Sequence, residues 1–137
     1  MPAKFPCRFL SWEEVEQISY NLAEKVRTSN FRPDVIVAVA RGGVVGARLV
    51  SDILGISDFT CLRIAHWGET AVRGKDARLE RGIGGSITGK RVLLIDDVTD
   101  TGKSLTVAKA YLETLAPAEI KTAALQYIKG SSFIPDY

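Results

Sequence analysis

The chain is poor in the features that would mark many functional classes. It has only two cysteines, Cys7 and Cys61, without the spacing of a metal-ligand pair, so free thiols in a reducing compartment are expected rather than a disulfide framework. Cys61 sits in an apolar run and reads as a small core residue. Nowhere are there 18 uninterrupted apolar residues, and Met1-Pro2-Ala3-Lys4 leads into no long apolar run, so neither export nor a membrane span is expected and a cytoplasmic location is. Charge of one sign is also missing. Eighteen basic residues stand against 16 acidic ones, for a formal net charge of +2, and the basic residues are scattered, so no nucleic-acid partner is expected. Repeats and low-complexity segments are absent.

What remains is an ordinary globular composition. At 137 residues and 46% hydrophobic, the chain fits one domain spanning 1–137 that buries roughly two thirds of its unfolded surface. The pattern alternates helix and strand. Ser11-Trp12-Glu13-Glu14 is a capping box, and Trp12, Val15, Ile18, Leu22 and Val26 follow at helical spacing, predicting a helix from Trp12 to Thr28 with a core-facing stripe. Val35 to Ala40 is a continuous apolar run without polar alternation, as in a central parallel strand covered on both faces. Gly42-Gly43 opens a second helix through Val45, Leu49, Ile53 and Leu54, stopped by Gly55. Phe59 to Ala65, Val92 to Ile95 and Ile120 to Ile128 read as strands, and Leu105 to Leu115 as a helix. The expected fold class is α/β, a mainly parallel sheet flanked by helices.

Val92-Leu93-Leu94-Ile95-Asp96-Asp97-Val98-Thr99-Asp100-Thr101-Gly102-Lys103-Ser104 carries the chemistry. A buried strand runs into two carboxylates, then a third, and then a small-residue turn that opens a helix. Free backbone N–H groups, hydroxyls and the positive helix end at Thr101, Gly102, Lys103 and Ser104 favour a phosphate. Acids beside such a cradle would repel the phosphate unless they address ribose hydroxyls or bound Mg²⁺. A sugar phosphate is therefore implied. Asp97 stands where a Walker A loop needs its first glycine, which argues against an ordinary P-loop. Asp100 or Thr101 taken alone could be a helix cap, but the whole string is far more specific. Upstream, Arg41-Gly42-Gly43 ends the first strand, where two glycines let the backbone approach an anion and Arg41 adds positive charge. Taken alone, those glycines could equally serve tight packing. Strand ends such as these face ligands in open α/β sheets.

The segment from Val92 to Ser104 closely resembles the phosphoribosyl pyrophosphate motif of type I phosphoribosyltransferases. The resemblance implies that Asp96 and Asp97 address the ribose hydroxyls and their metal, that Asp100 to Ser104 hold the 5′-phosphate, and that Asp100 lies near the imidazole edge of a purine. Arg41, Gly42 and Gly43 resemble the family's pyrophosphate loop, in which the bond before the basic residue is often a cis non-proline peptide; Ala40–Arg41 is expected to be cis or visibly strained. The segment from His66 to Lys90, with six glycines, resembles the family's mobile lid, a flexible loop over about 66–90. Parts of it also fit a plain hairpin with basic residues on its solvent face. The Ser-Tyr pair common in such lids is missing, so no lid residue receives a chemical role, and His66 reads as structural or solvent-facing.

After the last strand, Lys129 matches the lysine that hypoxanthine, guanine and xanthine phosphoribosyltransferases aim at the oxygen on purine C6. An ammonium has donors and no acceptor, so it favours an oxo over an amino group. A lone lysine after a strand would otherwise be a solvent-exposed terminator. The resemblance implies a further strand and a stacking aromatic beyond Pro135-Asp136-Tyr137; either these lie beyond Tyr137, or the base pocket is built differently. The expected function is transfer of ribose 5-phosphate from phosphoribosyl pyrophosphate to a 6-oxopurine, with Mg²⁺ as cofactor, Asp100 and Arg41 catalytic, and a homodimer or homotetramer as the assembly. The alternatives are a regulator that senses phosphoribosyl pyrophosphate without turning it over, and an enzyme acting on orotate or uracil.

Overall fold

The apolar runs become the strands of one sheet. The computed structural model describes residues 7–67 and 76–137. Ser11 caps α1, Trp12–Thr28, with both halves of the capping box formed: Glu14 N donates to Ser11 Oγ at 3.2 Å, and Ser11 N donates to the Glu14 carboxylate at 2.8 Å. The chain continues through β1, Val35–Ala40, and α2, Gly43–Leu54, which Gly55 ends in the left-handed conformation at φ 70°. Next come β2, Phe59–Trp67; β3, Asp76–Arg81; and β4, Arg91–Thr99. Helix α3, Lys103–Glu113, and β5, Glu119–Tyr127, complete the elements.

The sheet order is β3-β2-β1-β4-β5, parallel at β2-β1, β1-β4 and β4-β5 and antiparallel only at β2-β3. Alternating strand side chains feed two cores. Ile36, Ala38, Leu93 and Ile95 pack with Leu22, Val26, Ala47 and Val50 of α1 and α2. Val35, Val37, Val39, Val92 and Leu94 pack with Leu62, Ile64, Leu105 and Leu112 on the α3 side. With helices over both faces, β1 needs no polar alternation. Helix α2 lies so close to the sheet that a Cβ at Gly46 would stand 2.5 Å from Leu125 Cδ1.

Several expectations are corrected. The span from 66 to 90 is not one loop: Asp76–Arg81 is an edge strand paired with β2, Ile83 N donates to the Tyr111 hydroxyl at 3.2 Å, and Ile87 is buried. Alternation of Ala77 and Leu79 with charged residues lets this strand turn a thin apolar edge inward. Of the expected lid, residues 68–75 lie outside the described residues. Strand β4 runs past Ile95 to Thr99 because its pairing with β5 continues through Asp96–Ala124 and Val98–Gln126. Cys61 is exposed rather than core, on the face of β2 opposite buried Leu62 and Ile64. Trp12 is 75% exposed, so the buried stripe of α1 is confined to its later turns. Val45 is exposed too, because Gly43, Gly46, Ala47 and Val50 form the sheet-facing side of α2.

After β5 the chain folds back along it. Thr122 N and Oγ1 donate to Asp136 at 2.8 and 2.9 Å, while Tyr137 N donates to Thr122 O and Ala124 N to Tyr137 O. Pro135 to Tyr137 thus lies against the sheet edge, and the Tyr137 hydroxyl pairs with Ser29 Oγ at 2.8 Å.

Candidate active site

A cavity of about 370 Å³ opens at the carboxyl ends of β1 and β4, lined among others by Ala40, Gly42, His66, Asp96, Asp97, Asp100, Thr101, Gly102 and Ser104. This is where an open α/β sheet offers a ligand site. Two helices begin here. Neither Gly42 before α2 nor Gly102 before α3 supplies a side-chain cap; Val44 N donates to Arg41 O and Lys103 N to Thr101 Oγ1, and the other first-turn N–H groups of both helices are left to anions. The Ala40–Arg41 peptide is cis, as expected.

Gly42 and Gly43 are required by close approach. A Cβ at Gly42 would overlap the Asp97 carboxylate, and one at Gly43 would stand 2.7 Å from Ile95 O. The loop after β1 therefore lies directly on the acidic end of β4. Gly102 holds φ 85°, and a Cβ there would lie 2.6 Å from Phe133 N and Cβ. Ser132 N and Oγ both donate to Thr101 O, at 3.3 and 2.6 Å, so the segment after β5 packs against the turn that opens α3.

Each carboxylate is oriented by a neighbouring amide. Asp97 N donates to Asp96 Oδ1 and Val98 N to Asp97 Oδ1, both at 2.8 Å. Asp96 is only 7% exposed. Burial pushes its carboxyl up to about 7; hydrogen bonding to the Asp97 side chain and its like charge act in the same direction, against the Asp97 amide. A cation arriving here would relieve both the desolvation and the repulsion.

The family model described as a phosphoribosyl transferase domain matches residues 8–133, nearly the whole chain. The chain belongs to this family. The structure of a purine phosphoribosyltransferase from Pyrococcus horikoshii is 37% identical and superposes with a TM-score of 0.83, covering 95% of this chain and 83% of that one. A xanthine-guanine phosphoribosyltransferase from Idiomarina loihiensis is 31% identical over 94% of this chain and 76% of its own length. One of that name from Desulfotalea psychrophila is 32% identical over 73% of this chain and 60% of its own length.

Within the phosphoribosyltransferase, Gly42, Asp96, Asp97, Asp100, Thr101, Gly102 and Ser104 meet in one cavity. Arg41 and Lys103 border it without lining it, and Gly43 is buried beneath. Lys129 is exposed in the turn after β5, outside the lining; its neighbour Ile128 is tied to the cavity by donating from N to Thr99 O at 3.0 Å. Sequence reasoning gave no role to Ile64, Val98 or Thr99 and read His66 as structural or solvent-facing, yet all four line the cavity. His66 carried a usable signal, being a polar residue near the carboxyl end of a strand parallel to β1.

Proposed function

We propose that this phosphoribosyltransferase transfers ribose 5-phosphate from phosphoribosyl pyrophosphate to a 6-oxopurine, releasing pyrophosphate and a nucleoside monophosphate. The observation that carries the reading is the pairing of two uncapped helix starts with two carboxylates in one cavity. Two anionic groups need two sets of free N–H donors, and the ribose between them needs acceptors for its hydroxyls. The α3 start with Thr101, Gly102, Lys103 and Ser104 takes the 5′-phosphate. The α2 start with Arg41, Gly42 and Gly43 takes the pyrophosphate, and Asp96 and Asp97 accept from the ribose hydroxyls.

The residues fit Mg²⁺ brought with the substrate. Among the described residues no group of three or more His, Cys, Asp or Glu is placed to hold a metal alone, whereas Asp96 and Asp97 supply two hard oxygen donors and leave the remaining positions to phosphates and water. When bound, the ion neutralises charge on the departing pyrophosphate. In the transfer the bond from C1 of the ribose to the pyrophosphate oxygen breaks and a bond to the base nitrogen forms. Asp100 takes up the proton from the imidazole edge of the base. Lys129, donating to O6, would select an oxo group over an amino group, in keeping with the xanthine and guanine named for the relatives.

Phosphorus NMR of the protein with phosphoribosyl pyrophosphate, Mg²⁺ and guanine, hypoxanthine or xanthine tests the reading. Pyrophosphate and nucleoside monophosphate should accumulate together. Binding of phosphoribosyl pyrophosphate without either product would instead identify a sensor.

A further inference from the structure

His66 Nε2 lies 2.8 Å from Ser104 Oγ. The contact joins two elements distant in sequence. His66 is the penultimate residue of β2, and Ser104 is the second residue of α3, in the turn assigned above to the 5′-phosphate. Both residues line the cavity, and His66 is exposed to it rather than packed in a core. Its ring is therefore not there to fill space.

A hydroxyl has one hydrogen and two lone pairs, and their use decides what Ser104 can offer an anion. If Nε2 accepts, Ser104 spends its only hydrogen on the ring and turns lone pairs toward the phosphate. If Nε2–H donates, the Ser104 hydrogen is free to point at a phosphate oxygen. We propose that His66 is a positioning residue for the sugar phosphate: its Nε2–H donates to Ser104 Oγ and thereby aims the Ser104 hydroxyl at a phosphomonoester seated on the first turn of α3. The inference rests on the assignment of that turn to the 5′-phosphate. It makes the end of β2 a third wall of the phosphate site, beside the β4 turn and the α3 start.

The chain has a single histidine, so its ring nitrogen resonances in a tag-free protein need no assignment. Long-range proton–nitrogen correlation spectra should show Nε2 protonated once ribose 5-phosphate is bound, and this signature should vanish in His66→Phe. His66→Phe should raise the KM for phosphoribosyl pyrophosphate about tenfold, the scale of one hydrogen bond to a charged group, while kcat changes less than about twofold. His66→Gln, whose amide can still donate, should recover most of the loss. An unprotonated Nε2 in the ribose 5-phosphate complex, or an unchanged KM in His66→Phe, would overturn the proposal. If ribose 5-phosphate fails to bind the unaltered protein at all, the phosphate assignment falls and this inference with it.

Discussion

At the scale of single residues, neighbouring acids and glycines divide the work. Asp96 and Asp97 are like charges on adjacent residues, one of them buried, an arrangement that costs stability unless a partner arrives. Asp96→Asn together with Asp97→Asn should therefore abolish turnover in the presence of Mg²⁺ while leaving the circular dichroism spectrum and the cooperativity of unfolding unchanged. Activity equal to that of the unaltered protein would refute the assignment of both residues. Lys129 is assigned to the base rather than to phosphoribosyl pyrophosphate. Lys129→Gln should cost about 1.5 to 3 kcal/mol in kcat/KM for 6-oxopurines, leave phosphoribosyl pyrophosphate binding by calorimetry nearly unchanged, and relax discrimination against adenine. The motif residues were legible because acids, hydroxyls and a glycine at fixed spacing have few other uses. Trp12 and Cys61 misled for a physical reason: helical spacing and an apolar run say that a face exists, not how far its cover extends.

At the scale of elements, the sheet holds the site through its strand ends. Asp34, just before β1, accepts from Arg91 N, Nε and Nη2 at 2.8, 3.0 and 2.7 Å and so fastens the start of β1 to that of β4. These hydrogen bonds hold its carboxyl down at about 2, below the ordinary 3.8. The native chain then binds fewer protons here than the unfolded chain between those values, so this contribution is complete above about pH 4 and is lost as pH falls toward 2. Asp34→Asn should flatten the acid limb of a plot of stability against pH, measured by urea unfolding; an acid limb as steep as before would refute it. The turn at Gly102 is the second element-level device. Gly102→Ala must accept φ 85° and displace the backbone of Phe133, so it should lower stability by about 1 to 3 kcal/mol in the same assay and raise the KM for phosphoribosyl pyrophosphate. Elements with continuous apolar runs or a capping box were readable in advance. Strand β3 was open only as a plain hairpin over unspecified parts of 66–90, because Ala77 and Leu79 are its only inward apolar residues and glycines flank it on either side in the sequence.

At the scale of the whole molecule, the alternation of strands and helices was enough to place the chain among α/β folds, and the motif then located the site at the strand ends. How the last segment packs was beyond such patterns. Ser131 and Phe133 crowd Gly102, and Asp136 and Tyr137 join the edge of β5 through the Asp136 carboxylate and the Tyr137 backbone, contacts that no periodicity encodes. The segment thereby connects the turn bearing Lys129 to the turn at Gly102, the two places proposed above for the base and the 5′-phosphate. The most direct test is a panel of bases offered with phosphoribosyl pyrophosphate and Mg²⁺, scored by kcat/KM. Hypoxanthine, guanine or xanthine should exceed adenine, orotate and uracil by at least about a hundredfold, the discrimination of a site built around one charged hydrogen bond. Preference for orotate or uracil, or no nucleoside monophosphate from any base, would contradict the assignment.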